Sequence, residues 1–99
     1  MSNEAYIIVK QNEYMRKFRK AGATDAAKAR TLSALGVKND RIYRKMRDKD
    51  IFRPGRAPDT FYLDESAAED FVEARRRRMF YMLLLILVAA ALMFFLGRR

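Results

Sequence analysis

The sequence predicts a small, mostly helical α+β domain of three helices and a β-hairpin, followed by a helix that continues into a single transmembrane helix. Three observations carry this. Met79 to Leu96 is eighteen residues without a charge, directly after Arg75-Arg76-Arg77-Arg78; as a helix it covers about 27 Å, close to the roughly 30 Å hydrocarbon core of a bilayer. Ahead of the arginines, apolar residues recur at helical spacing in short segments divided by glycine and Asn/Asp. Finally, two β-prone runs flank Pro54-Gly55-Arg56-Ala57-Pro58-Asp59, which is turn chemistry.

In order along the chain, Tyr6 to Val9 is a short apolar run that admits either a strand or the start of a helix. Tyr14, Met15, Phe18 and Ala21 recur among Arg16, Lys17, Arg19 and Lys20, which predicts an amphipathic helix from about residue 11 to 21, ended by Gly22. Thr24 is a natural N-cap for a second helix, with Asp25 in its first turn, Ala29, Leu32 and Leu35 along one side, and Gly36 as its stop. After Gly36-Val37-Lys38, either Asn39 or Asp40 caps a third helix. Its Ile42, Tyr43 and Met46 turn inward while Arg41, Arg44, Lys45 and Asp48 face out. Ile51-Phe52-Arg53 and Thr60-Phe61-Tyr62-Leu63 then form the hairpin. Ser66 to Glu69 fits a capping box, with Asp64 as the rival cap, for a fourth helix whose apolar face is Ala67, Ala68, Phe71 and Val72. No proline or glycine stands between Pro58 and Gly97, so this helix is expected to run from about Glu65 into the apolar segment.

The division expected is a domain at 1–74, a basic juxtamembrane segment at 75–78, a membrane helix at 79–97 and a short tail at 98–99. A helix apolar on every side needs protein all around it if it is to be soluble, and residues 1–74 are too few both to wrap it and to form their own core. Phe80 and Tyr81 at one end and Phe94 and Phe95 at the other sit where interfacial aromatics are usual. Four arginines precede the segment and two follow it, which predicts that the N-terminal domain is cytoplasmic. Met1 to Tyr6 is polar, unlike a signal peptide, and only Arg98 and Arg99 would cross, so the expectation is a tail anchor inserted after synthesis. The expected location is a bacterial or archaeal cell membrane.

The net charge of +9 is unevenly placed. Residues 1–56 carry fifteen Lys/Arg against six Asp/Glu, residues 57–74 carry six acids and no base, and the remainder carries six arginines. With neither histidine nor cysteine, the usual general base, thiol nucleophile and soft-metal ligands are missing, and no glycine-rich phosphate loop is present. Asp64-Glu65 and Glu69-Asp70 are adjacent residues that point to different sides of a helix, so neither makes a cluster for a hard cation. No enzyme, cofactor, metal site or small-molecule substrate is expected. Glu73 and Arg77 have the spacing and order of a helix-supporting pair. Ala89-Ala90-Ala91 offers small residues without a small-xxx-small register, weak support for oligomerisation through the span.

Two helices joined at Leu35-Gly36-Val37, Ile42 and Met46 within the second of them, then Ile51-Phe52 and Phe61-Tyr62-Leu63 as hairpin strands: over roughly residues 10–72 the chain resembles a winged helix-turn-helix domain. One departure is Leu32, where the motif commonly has a small residue four positions before the turn glycine. The resemblance implies that the third helix enters a major groove while the wing touches backbone. Candidate contacts are Asn39, Arg41, Arg44 and Lys45 on the helix, with Lys38, Arg47, Arg53 and Arg56 towards phosphates. Asp40, Asp48 and Asp50 oppose such contacts. Winged helices also serve as protein-docking modules, so the target is divided between a protein partner and DNA. Residues 79–97 are expected to meet lipid, and Arg75 to Arg78 to fix topology.

Overall fold

Residues 2–98 are described by a computed structural model. Helix α1 spans Ser2–Lys20, so the apolar run Tyr6 to Val9 is helical. Glu13 sits 3.1 Å from Lys10 and 3.7 Å from Lys17, bracing the helix on both sides of one carboxylate. Gly22, at a φ of +73°, ends the helix as Ala23 donates back to the Phe18 carbonyl over 2.9 Å.

The second helix is much shorter than the sequence implies. Helix α2 is one turn, Leu32–Leu35, and its N-cap is Thr31, whose hydroxyl accepts from the Ala34 amide, rather than Thr24. Long-range pairing overrides the local cap. The Asp25 side chain closes a turn on the Lys28 amide at 2.8 Å, and Arg30 exchanges two backbone hydrogen bonds with Phe61, at 3.0 and 2.8 Å. The Arg56 amide reaches the Ala26 carbonyl and the Leu63 amide that of Ala23, so residues 23–30 lie along the hairpin instead of coiling. Gly36, at a φ of +71°, ends α2 with a backbone cap, and the Lys17 ammonium donates to its carbonyl over 2.7 Å.

Helix α3 spans Arg41–Asp48 and is capped by Asp40, not Asn39: the Tyr43 amide donates to its carboxylate over 2.9 Å. Strands β1 (Phe52–Pro54) and β2 (Phe61–Leu63) pair antiparallel in the register Phe52↔Leu63, Arg53↔Tyr62, Pro54↔Phe61. Gly55 follows β1 at a point of close approach. A Cβ there would lie 2.2 Å from that of Ala29 and 2.7 Å from the Thr60 hydroxyl. Helix α4 spans Glu65–Gly97, and its cap is Asp64, which accepts from the Ala67 amide; Ser66 lies inside the first turn instead. Strand β2 decides this, because the Leu63 and Asp64 amides are still bonded to Ala23 and Ile51.

The chain divides into two compact units, Met1–Glu69 and Asp70–Arg99. In the first, α1 packs on α3 and β2. Tyr14, Met15 and Phe18 of α1 are buried with Leu35, Val37, Tyr43, Met46, Ile51, Phe52 and Leu63. Phe52 is the centre of an aromatic stack, 4.5 Å from the Phe18 ring and 5.1 Å from that of Tyr43. Ala21 and Ile42, both expected inward, are only half-buried; Ala23 is fully buried in place of Ala21. In the second unit, α4 contains the one stretch among the described residues that is long and apolar enough to cross a membrane, and none of it is buried. It is therefore no core helix of this chain.

Candidate functional site

The residues with interaction chemistry lie on α3, the turn before it and the hairpin. Asp40 sets the start of α3 through its cap and is itself held from α1, where the Tyr14 hydroxyl donates to its second carboxylate oxygen at 2.5 Å. Burial pushes the Asp40 carboxyl up, but the hydrogen bonds from Tyr14 and the Tyr43 amide outweigh it and leave the group below the ordinary carboxylate value. Burial first, and then the bond to Asp40, raise the Tyr14 phenol. Asp40 thus turns its charge inward, although in the sequence it counts as an acid on the basic face.

With Asp40 so engaged, Arg41, Arg44, Lys45 and Asp48 share the outer side of α3 at spacings of three and four, all exposed. Lys38, Asn39 and Arg56 are exposed as well. Of these, Lys38, Arg41, Lys45 and Arg56 make no ion pair among the described residues, so their charges are available. Three other predicted contacts are committed elsewhere. Arg44 donates to the Asn39 carbonyl over 2.9 Å. Arg47 is half-buried over the Tyr43 ring, 5.7 Å from its centroid. Arg53 pairs with Asp64 at 2.9 Å and donates to the Asp50 carbonyl at 3.3 Å, so it bridges β1 to the start of α4.

The eight predicted binding residues therefore separate into an available group and a structural group. Tyr14 and Asp64, which the sequence reading did not connect with this surface, decide part of that separation. Tyr14 lies 26 positions from Asp40, and no local pattern marks such a pair. Further along, Arg75 lies over the Phe71 ring at 5.6 Å, and Arg76, Arg77 and Arg78 are exposed. Glu73 and Arg77 do not form an ion pair, despite their spacing.

Among the described residues no group of three or more carboxylates stands close enough to hold a metal ion. Comparison of the chain with protein-family models, with curated proteins and with solved structures returns no match in any of the three.

Proposed function

We propose that this is a single-pass membrane protein whose N-terminal unit is a non-catalytic docking module of winged-helix type, facing the cytoplasm and binding an acidic protein surface. The observation that carries the reading is the set of four exposed cations without ion pairs, Lys38, Arg41, Lys45 and Arg56, on α3, its leading turn and the hairpin. The exposed Asp48 and Asp50 interrupt this face, and Arg53 is neutralised by Asp64. An uninterrupted basic track suits a phosphate backbone, whereas a mixed pattern suits a protein of complementary charges. The span is α4, and the excess of arginine before its apolar run supports the orientation.

A second reading, a membrane-tethered DNA-binding regulator, is favoured by one detail. The inward-turned charge of Asp40 leaves Arg41 at the first position of α3, where helix-turn-helix proteins contact bases. A photo-crosslinking side chain in place of Lys45 in the full chain, irradiated in living cells, separates the two. The expected product is a discrete protein adduct that disappears when Arg41→Glu is added. An adduct to nucleic acid assigns the regulator reading, and no adduct of either kind overturns docking through this face.

A further inference from the structure

Arg75, Arg76, Arg77 and Arg78 occupy four consecutive positions of α4. At 3.6 residues per turn they are about 100° apart around the helix and lie within about 4.5 Å along its axis. They form a collar, and a partner approaching from one side meets about half of it. Arg75 rests on Phe71, but Arg76, Arg77 and Arg78 are exposed and make no hydrogen bond or ion pair among the described residues. Glu73, three and four positions before Arg76 and Arg77, pairs with neither. Burial, followed by the nearby charge of Arg78, depresses the Arg75 guanidinium. Directly beyond the collar begins the uncharged run from Met79, with Phe80 and Tyr81 exposed in its first turn.

Taking α4 as a membrane span, the boundary between collar and apolar run falls at the level of the headgroup phosphates. We propose that the collar binds a ring of separate anionic phospholipids, about one phosphate for each of Arg76, Arg77 and Arg78, rather than one polyanionic headgroup. The planar guanidinium matches a phosphate with two parallel N–H donors. Neighbouring copies diverge by about 100°, and Arg76 from Arg78 by about 160°, so no single headgroup reaches all three, whereas the lipids that surround a span lie on every side of it.

The test uses the full chain in bilayers of phosphatidylcholine containing spin-labelled lipids, with the motionally restricted, protein-bound fraction read by electron paramagnetic resonance. Phosphatidylglycerol is expected to be restricted in preference to phosphatidylcholine, and the preference should collapse at 1 M salt, where the Debye length is about 3 Å. Arg76→Gln, Arg77→Gln and Arg78→Gln should each lower it by a similar partial factor, up to about fivefold for a cation at the surface, and the triple variant should abolish it. Equal affinity for the two lipids overturns the collar, and so does a single variant that removes the whole preference, since that describes one pocket. Failure of the protein to float with the vesicles overturns instead the reading of α4 as a span.

Discussion

Tyr14 and Tyr43 are both buried phenols, yet their hydroxyls differ. That of Tyr14 donates to the Asp40 carboxylate, while that of Tyr43 is buried with no hydrogen-bond partner among the described residues. Removing the first hydroxyl strips a charge-assisted bond and leaves a half-buried carboxylate oxygen unpaired. Tyr14→Phe is expected to cost about 1–3 kcal/mol. Removing the second relieves a desolvated dipole and keeps the ring under Arg47, so Tyr43→Phe should be neutral or stabilising by up to about 1 kcal/mol. Urea unfolding of the full chain in detergent micelles, followed by near-UV circular dichroism, reads both; equal losses would contradict the assignment. The same groups set the pH response. Asp40 has a folded-state value below its unfolded value near 4. Its contribution is complete above about pH 4 and fades as pH falls through the lower folded value. Both phenols are raised, Tyr43 to about 12 by burial, so their contribution is complete below about pH 10 and is lost as pH rises towards 12. The unfolding midpoint should hold between these limits and fall beyond each.

At the scale of elements, the hairpin organises the first unit. Gly55 lets residues 26–30 lie against it, and Gly55→Ala places a methyl 2.2 Å from the Ala29 Cβ, which only a shift of that segment relieves. Gly36→Ala meets only the Lys17 ammonium at 3.7 Å, an ordinary contact, and incurs the left-handed conformation, about 1 kcal/mol. Gly55→Ala should therefore be the more damaging of the two, by about 1–3 kcal/mol as an overpacked site, measured by the same unfolding transition. Arg53 and Arg41 make a second contrast. Arg53→Ala breaks the link from β1 to the cap of α4 and should lower stability while leaving the Lys45 crosslink intact. Arg41→Ala should weaken the crosslink without moving the unfolding midpoint. The cause of this contrast also limits what a sequence discloses. Periodicity finds α1, α3 and the two strands, because their apolar positions face one core. Thr24 and Thr31 are equally good caps, and the choice between them rests on Arg30 pairing with Phe61, 31 positions away. Asp64 prevails over Ser66 for a similar reason, since backbone bonds to Ala23 and Ile51 keep the chain extended through Leu63. On the candidate surface, the residue types and most exposures were legible. The engagement of Asp40 by Tyr14 and of Arg53 by Asp64 was not, because neither of those partners is local in sequence.

For the whole molecule, the distribution of charge matters more than its total. The acidic stretch 57–74 supplies two longer-range ion pairs of the first unit, Arg19 with Glu65 and Arg53 with Asp64, each at 2.9 Å. These exposed pairs contribute about 0–1 kcal/mol each, so 1 M salt should weaken binding to an acidic partner far more than it weakens folding. The absence of cysteine gives a clean test of topology. Ser33 is exposed on α2, and Ser33→Cys provides a single thiol. An impermeant maleimide should label it only after the membrane is permeabilised; labelling of intact cells would reverse the orientation.

The convergence of backbone bonds on residues 60–64 also bears on the order in which the protein is made. The carbonyls of Ala23 and Ile51 and both backbone groups of Arg30 find their partners only in residues 61–64, so the first unit closes only when β2 has emerged from the ribosome. The next residues to emerge are those of α4. Those of its apolar run, from Met79, come last, after every residue of the first unit's core. The head thus has all of its core side chains within reach of one another before the apolar helix behind them can compete for them.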